Sequence, residues 1–215
     1  MNTASILQSI KDLKSSTPKR KFSQRYDFVV TLKNFDMKRE KLDFFLDLNN
    51  TLGKERKVCA FVGGELYDHA KKACDAAVHV DDFMKVADNK NAVKRLAQDN
   101  DYFIAQMNVM PKVASAFGKT LGSRGKMPNP KAGCVVPPNA NLEQLKEKLQ
   151  KRVRVQANKT PIIQCVVGTE DQSEEEVADN IVTLYKALLA NLPQQENNVK
   201  KAYLKFTMSK PVEVK

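Results

Sequence analysis

The sequence predicts two domains of mixed class: an α+β domain built from both ends of the chain, and a three-layer, Rossmann-like α/β domain inserted between them. Two observations favour this arrangement. Alternating strand patterns occupy both flanks, whereas the middle alternates short apolar runs with helical segments, as parallel sheets covered on both faces do. We assign residues 1–52 and 152–215 to the discontinuous domain and residues 53–151 to the inserted domain.

The N-terminal flank predicts one helix and two strands. Residues 1–14 carry apolar side chains at helical spacing and charged side chains elsewhere, which indicates an amphipathic helix. Arg25–Leu32 and Leu42–Leu48 alternate between polar and apolar residues, which is typical of half-buried strands. Residues 49–54 are rich in turn-forming residues, and they place a break between the two domains.

The middle of the chain contains three short apolar runs, each followed by a helical pattern. The predicted strands are Val58–Val62, Ala76–Val80 and Tyr102–Met107. The predicted helices are Glu65–Cys74, Asp82–Gln98 and Pro111–Phe117. Residues 118–138 hold four glycines and four prolines, so we predict a loop there.

The C-terminal part predicts two helices and three strands. A charged helix covers residues 141–151, and a second helix begins at Ser173 with a capping box formed with Glu176 and ends near Asn191. The predicted strands are Val153–Ala157, Pro161–Val167 and Ala202–Met208.

Basic residues outnumber acidic ones by 36 to 25, which gives a formal net charge of +11. The excess is localised, because no acidic residue occurs between Tyr102 and Leu142, and Lys19, Arg20, Lys21 and Arg25 form a second basic cluster. A basic run is often only a solvated surface. Two such clusters favour a polyanionic partner, of which nucleic acid is the commonest.

The sequence argues against catalysis and against a membrane span. No apolar stretch approaches the roughly 18 residues that a transmembrane helix needs. Gly63-Gly64 follows a strand without a dinucleotide fingerprint, and Gly118-Lys119-Thr120 lacks the first glycine of a P-loop. The four cysteines are far apart in sequence, which is typical of reduced thiols in a cytoplasmic protein. We therefore expect that the protein is not an enzyme and that it binds no metal or cofactor.

One glycine- and proline-rich segment stands out. Leu121–Cys134 reads L-G-S-R-G-K-M-P-N-P-K-A-G-C, and its glycines and basic side chains suit contact with a phosphate backbone. The segment resembles the signature loop of the "L-one" family of universal large-subunit ribosomal proteins, which reads G-P-R-G-x-M-P-N-P-K-x-G. Ser123 stands where that family usually has proline, and the other fixed positions match.

Three further segments carry the resemblance over nearly the whole chain. Arg20-Lys21-Phe22 resembles the basic-Phe start that precedes the family's first strand. Asn158-Lys159-Thr160 resembles the family's N-D-K-T turn with one position altered. Lys205–Pro211 resembles the T-M-G-K-P ending of the archaeal and eukaryotic branch, with Ser209 in place of the glycine.

The resemblance implies a structural constituent of the large ribosomal subunit. Such a protein binds ribosomal RNA of the mobile lateral stalk, assists release of deacylated tRNA, and represses translation of its own mRNA by binding a mimic of the ribosomal site. It is cytoplasmic and ribosome-associated, has no cofactor or membrane partner, and is a monomer when free.

The resemblance also implies which residues of the two-ended domain bind RNA. Lysines would neutralise phosphates, hydroxyls of Thr207 and Ser209 would bond ribose, and Phe22 and Met208 would cover sugar faces. The full set is Lys21, Phe22, Asn158, Lys159, Thr160, Thr207, Met208 and Ser209.

The glycine-rich segment gives a secondary expectation. Its basic residues could contact ribosomal RNA or a passing tRNA, or the segment could be a rigid surface loop. The residues concerned are Lys119, Arg124, Lys126 and Lys131.

Two alternative functions remain open at this point. One is an extra-ribosomal RNA-binding or ribosome-assembly factor of the same fold. The other is a small α/β enzyme that uses the inserted sheet, for which no nucleotide fingerprint or acid–base pair is present.

Overall fold

The structure is a computed structural model that describes residues 2–36, 40–157 and 160–214. Its internal contacts divide the chain into two compact units. Unit 1 consists of residues 1–54 and 151–215, and unit 2 of residues 55–150.

The helices and strands are numbered along the chain. The helices are α1 (Thr3–Ser16), α2 (Gly64–Ala73), α3 (Phe83–Asp88), α4 (Lys90–Asp99), α5 (Met110–Ser123), α6 (Leu142–Lys151) and α7 (Glu174–Asn191). The strands are β1 (Arg25–Leu32), β2 (Leu42–Asp47), β3 (Val58–Val62), β4 (Ala76–His79), β5 (Tyr102–Gln106), β6 (Val135–Val136), β7 (Arg152–Ala157), β8 (Ile162–Thr169), β9 (Val199–Phe206) and β10 (Val212–Val214). This mixture of helices and sheets confirms the predicted fold class.

Unit 1 is built on an antiparallel sheet of four strands in the order β10-β9-β1-β8. Tyr26, Phe28 and Val30 of β1 point to one face of this sheet and are buried. Helices α1 and α7 belong to the same core, with Ile6 and Ile10 of α1 completely buried. Because strand residues alternate between faces, the remaining residues of β1 lie on the opposite face, where they are partly exposed.

A second, two-stranded sheet of unit 1 joins β2 to β7. One side packs into the core through residues such as Val153 and Val155. On the other side Asp43 accepts hydrogen bonds from Arg154 at 2.7 Å, and Asp47 is paired with Arg152. The carboxylates on this ribbon are therefore neutralised within the protein.

Unit 2 contains a parallel sheet in the order β4-β3-β5-β6. Every residue of β3 is buried, as a strand covered on both faces requires. Phe61 of β3 contacts Phe83, Phe103 and Phe117, with ring centroids 4.9–5.6 Å apart. These aromatic contacts attach α3 and α5 to the sheet.

Several elements differ from their predicted bounds. The helix predicted over residues 82–98 is two helices, because the Asn89 side chain accepts hydrogen bonds from two backbone N–H groups and starts α4. Part of the loop predicted over residues 118–138 is helical, since α5 continues to Ser123. The last predicted strand ends at Phe206, and β10 was not predicted.

No helix in the ranges that the structure describes is long and apolar enough to cross a membrane.

Candidate nucleic-acid interface

A tight turn follows β9 and contains three of the predicted RNA-binding residues. The Ser209 N–H donates to the Phe206 carbonyl at 3.3 Å, and the Phe206 N–H donates to Ser209 Oγ at 2.8 Å. Ser209 Oγ also donates to the Lys210 carbonyl at 3.0 Å. Ser209 is not among the described residues with a positive φ, so its backbone does not require the glycine of the family pattern. Its hydroxyl instead closes the turn, which we call the Phe206–Ser209 turn.

The segment that leads into β1 is hydrogen-bonded to this turn. The Arg25 N–H donates to Thr207 Oγ1, and the Met208 N–H donates to Gln24 Oε1, both at 3.3 Å. Gln24 is buried, and its carbonyl accepts a hydrogen bond from the Glu170 N–H at 2.9 Å. Through Gln24 and Arg25, the structure brings Lys21 and Phe22 close to the turn along the chain.

Two large apolar side chains at this end of the sheet are exposed. Phe22 is 52% exposed and Met208 is 61% exposed. An exposed side chain of this size contributes little to the core, but it can cover the sugars or bases of a bound RNA. The positions of Phe22 and Met208 are therefore compatible with their predicted role.

Cations surround the same turn. The Lys205 ammonium lies 3.5 Å from the Thr207 carbonyl. Other basic residues of the leading segment and of the turn are exposed: Lys19, Arg20, Lys21, Arg25 and Lys210. Exposed cations next to hydroxyls and backbone donors are the groups that contact phosphate and ribose in structured RNA.

From this turn, a surface extends along the sheet of unit 1, which we call the open face. It is the side opposite the helices, and its residues stand in three rows defined by the strand register. The rows are Lys205–Asp27–Val166, then Glu213–Tyr203–Val29–Gln164, then Lys201–Thr31–Ile162. All of these side chains are exposed or partly exposed.

The remaining predicted RNA-binding residues are Asn158, Lys159 and Thr160. Asn158 and Lys159 lie outside the described residues. Thr160 is exposed and lies beside the far end of β1, where the Leu32 N–H donates to the Pro161 carbonyl at 2.8 Å. The length of β1 separates this end from the Phe206–Ser209 turn by about 23 Å, at roughly 3.3 Å per residue. The structure therefore does not bring Thr160 and Thr207 together, and the open face runs between them.

In unit 2, the glycine-rich segment uses one of its lysines internally. The Lys126 ammonium donates to the Ala97 carbonyl at 2.9 Å and to the Asn100 carbonyl at 2.7 Å. These carbonyls belong to the C-terminal end of α4, where a cation satisfies unpaired acceptors and opposes the negative end of the helix dipole. The expectation that Lys126 contacts RNA is therefore not supported, because its charge is engaged within the protein.

The other basic residues of this segment are on the surface. Lys119 is exposed on α5, Arg124 follows the end of that helix, and Lys131 lies in a short 3₁₀ turn. Two glycines of α5, Gly118 and Gly122, have no internal packing role, since an added Cβ would meet no other atom within 4 Å. This surface of α5 therefore carries positive charge and has no side chains at Gly118 and Gly122.

The Gly63-Gly64 pair and the buried cysteines have structural rather than catalytic roles. Gly63 lies beside Gln106, whose Oε1 accepts the Gly63 N–H at 2.8 Å, so Gly63-Gly64 forms a strand-to-helix turn closed by a side chain. Burial raises the pKa of the Cys59 and Cys165 thiols to about 12. Such thiols are poor nucleophiles at neutral pH. Among the residues that the structure describes, no cluster of three or more potential metal ligands occurs.

Sequence reasoning missed the residues that support the turn and line the open face. Gln24, Asp27, Tyr203 and Lys205 belong to β1, β9 or the segment before β1. The alternation in R-Y-D-F-V-V-T-L and A-Y-L-K-F contained this information, because the residues between the buried ones share the opposite face. The cross-strand register that places Asp27 opposite Lys205 could not be read from either strand alone.

The chain is similar to known proteins over almost its full length. Residues 13–210 match a family model described as "Ribosomal protein L1p/L10e family". A protein of Nanoarchaeum equitans named large ribosomal subunit protein uL1 is 38% identical over 200 residues, which cover 91% of this chain and 93% of that protein.

Two further relatives carry the same name. The protein of Pyrococcus abyssi is 35% identical over 213 residues, covering 98% of this chain and 95% of the relative. The protein of Methanothermococcus thermolithotrophicus is 34% identical over 216 residues, covering 100% and 99% of the two chains.

Proposed function

Since the chain belongs to the ribosomal protein L1p/L10e family, we propose that it is a structural constituent of the large ribosomal subunit and binds ribosomal RNA of the lateral stalk through unit 1. Membership in this family confirms the resemblance found in the sequence and the expectation that the chain is not an enzyme.

The Phe206–Ser209 turn is the observation that carries the proposal. It presents an exposed methionine and an exposed threonine, and its hydrogen bonds with Gln24 and Arg25 join it to the segment that carries Phe22 and several exposed cations. Folded RNA is recognised through phosphates, ribose hydroxyls and stacked or covered bases, so this combination suits RNA better than a protein or a small molecule. The open face adds the exposed or partly exposed side chains of Tyr203, Thr31 and two lysines.

Filter binding of the purified protein tests this proposal. We expect a stalk fragment of ribosomal RNA to bind more tightly than an unrelated RNA duplex of equal length at every salt concentration. The preference should persist as salt rises, because shape and hydroxyl contacts are less sensitive to salt than phosphate contacts are. Equal affinity for the two RNAs across the salt series would contradict the proposal.

We further propose that unit 2 makes a secondary contact with deacylated tRNA or ribosomal RNA. Lys119, Arg124 and Lys131 supply exposed charge, and glycines within a helix cost roughly 1 kcal/mol each relative to alanine. Because internal packing does not require Gly118 and Gly122, close approach of an external backbone is a reason for glycine at these positions. Replacing all three cations by alanine should weaken tRNA binding and leave binding of the stalk fragment by unit 1 unchanged.

The proposed assistance to tRNA release follows from this contact of unit 2. The proposed repression of the protein's own mRNA follows from the contact of unit 1 with ribosomal RNA. A messenger segment that imitates the stalk RNA would occupy the same turn and open face. Competition between the stalk fragment and the leader of the mRNA tests this, since the two should exclude each other. Simultaneous binding of both RNAs would show that they use different surfaces.

An extra-ribosomal or assembly factor of the same fold would use the same face. Sedimentation distinguishes the two functions: a structural constituent remains with mature large subunits, whereas an assembly factor is found only with their precursors.

A further inference from the structure

Asp27 is an acidic residue beside the basic residues of the proposed RNA-binding surface of unit 1. It lies on the open face in the row next to the Phe206–Ser209 turn, directly opposite Lys205 of β9 and Val166 of β8. Its side chain is partly exposed, so a ligand on the open face can reach it. A carboxylate at this position repels the phosphates that the neighbouring cations attract.

Asp27 differs from the other carboxylates on the strands of unit 1. Asp43 and Asp47 are each paired with an arginine, and Glu213 is paired with Lys201 at 3.0 Å. By contrast, no hydrogen bond or ion pair reaches the Asp27 side chain from any residue that the structure describes.

Lys205 is the natural partner of Asp27 by register, but it does not form the pair. The Lys205 ammonium lies 3.5 Å from the Thr207 carbonyl, on the side of the turn. It is not within ion-pair distance of the carboxylate opposite it. The carboxylate oxygens of Asp27 are therefore left as acceptors that face the ligand side of the sheet.

This arrangement is unfavourable for the free protein. Burial raises the pKa of Asp27, and the nearby charges of Lys205 and Arg25 only partly oppose the effect. A half-buried carboxylate without hydrogen-bond donors lowers stability compared with a neutral group of the same shape. A group that is destabilising in the free protein and faces a binding surface indicates a role in the complex.

We propose that Asp27 is a specificity-determining residue that accepts hydrogen bonds from neutral donors of the RNA. Suitable donors are the N1–H and N2–H groups of a guanine, which match the two carboxylate oxygens, or a ribose 2′-hydroxyl. Asp27 also excludes phosphate from this point of the open face, so that RNA docks in one register. The inference rests on the proposed RNA-binding function of unit 1.

The variant Asp27→Asn tests the proposal, because it keeps the shape and removes the charge and one acceptor. We expect its affinity for the stalk fragment of ribosomal RNA to fall by about 5- to 100-fold, the range for loss of one paired base-edge contact. Its affinity for an unrelated duplex should stay equal or rise, since a negative charge has been removed. Glu175→Gln is the matched control, because it removes one exposed negative charge from α7, outside the open face.

Substituted RNA separates the two possible donors. Pools of the stalk fragment carry either inosine for guanosine, which removes the N2 amino group, or 2′-deoxynucleotides. If Asp27 contacts a guanine, there should be a position at which inosine weakens binding to the wild-type protein but not to Asp27→Asn. If Asp27 contacts a ribose hydroxyl, a 2′-deoxynucleotide should have this effect instead. If the two proteins reject the same positions in both pools, Asp27 makes no such contact.

Stability provides a readout that distinguishes recognition from a structural role. In the folded protein the pKa of Asp27 is raised, so its ionised form destabilises the fold at pH values above that pKa. Asp27→Asn should therefore melt at a higher temperature near neutral pH, and the difference should close below about pH 3.9, where the wild-type carboxyl is protonated in both states. A lower melting temperature near neutral pH would show that Asp27 supports the fold, and would overturn the proposal.

The outcomes separate this inference from the function on which it rests. Equal wild-type affinity for stalk and duplex RNA overturns the proposed function and this inference together. A wild-type preference that Asp27→Asn retains in full overturns this inference alone.

Discussion

The basic residues of the two units are used in different ways. In unit 1, the cations next to the Phe206–Ser209 turn point to the surface, and the hydrogen bonds that shape the turn come from uncharged groups such as Gln24 and Ser209. In unit 2, the most distinctive motif of the sequence uses Lys126 to close the C-terminal end of α4.

The difference shows that a distinctive basic motif in the sequence and a basic surface available to a ligand are separate properties. A lysine that satisfies two partly buried carbonyls stabilises its own unit, and the free energy it contributes appears in folding. A lysine that remains solvated in the free protein contributes when a polyanion displaces its counterions. The comparison can therefore be tested by measuring stability and RNA affinity on the same variants.

The largest expected effect is that of Lys126→Ala on the stability of unit 2. Removing two charge-assisted hydrogen bonds leaves the Ala97 and Asn100 carbonyls unpaired, and the free energy of unfolding should fall by about 2–3 kcal/mol. Thiol labelling measures each unit separately, since Cys59 reports unit 2 and Cys165 reports unit 1, and both are buried. Cys59 should react about 30- to 150-fold faster in the variant, while the rate at Cys165 stays unchanged.

Lys131→Ala is the matched control, because Lys131 is exposed in the same segment and should change stability by less than about 0.5 kcal/mol. Equal destabilisation by the two variants would mean that the Lys126 hydrogen bonds have no special role.

Met208→Ala should have the opposite profile. Met208 is exposed in the free protein, so the free energy of unfolding should change by less than about 0.5 kcal/mol. Binding of the stalk RNA should weaken by about 1–2 kcal/mol, because the side chain would lose its contact with the RNA. Met84→Ala, at an exposed methionine of α3, should change neither quantity. A Met208 variant with unchanged affinity would remove the turn from the interface.

The effect of Lys21 should appear in the salt dependence of binding. Lys21→Ala should reduce the slope of log affinity against log salt by roughly 0.7–0.9, the share of one phosphate contact. Lys186→Ala, at an exposed lysine of α7, is the control and should leave the slope unchanged. A slope for Lys21→Ala equal to that of the wild type would place Lys21 away from the phosphates.

The smallest expected effect concerns Asp75 of unit 2, a carboxylate that has hydrogen-bond donors where Asp27 has none among the described residues. Burial alone would raise the pKa of Asp75, but hydrogen bonds from the Val58 N–H at 2.8 Å and the Lys146 ammonium at 3.0 Å lower it overall. The ionised form therefore stabilises unit 2 above the unfolded pKa, and this stabilisation is lost as pH falls through the folded pKa.

Asp75→Asn should destabilise unit 2 near neutral pH by up to about 1 kcal/mol, and the difference should vanish in acid, when followed by denaturation at a series of pH values. The pH trend for Asp27→Asn has the opposite sign. If both variants changed stability in the same direction near neutral pH, the ionised forms of Asp27 and Asp75 would not have opposite effects on the fold.

The fold class was predictable from the sequence because it depends on the pattern of buried residues. The first and last residues of individual helices and strands were harder to predict. The glycines and prolines of residues 118–138 indicated a loop, yet α5 runs to Ser123, since Val113, Phe117 and Leu121 recur at helical spacing and bury one face. Burial of that face outweighs the weak helix propensity of Gly118 and Gly122.

The candidate site was predictable in part, and only through the family resemblance. The resemblance led to Phe22, Thr207 and Met208, which lie at one end of the sheet and are exposed. It did not distinguish Lys126 from Lys131, because the direction of a lysine side chain depends on which carbonyls lie nearby in the fold. The position of Thr160 at the far end of β1 depends likewise on strand register, which acts over a long sequence separation.

The order of strands in unit 1 has a consequence for synthesis of the chain. β1 occupies an interior position of its sheet, and both of its neighbours, β8 and β9, come from the C-terminal flank. During translation β1 therefore emerges long before either neighbour exists, while unit 2 has all of its own strands and can fold first. The Phe206–Ser209 turn follows β9, so it is synthesised only after unit 2 is complete. A chain that terminates before β9 would therefore lack the proposed RNA-binding surface.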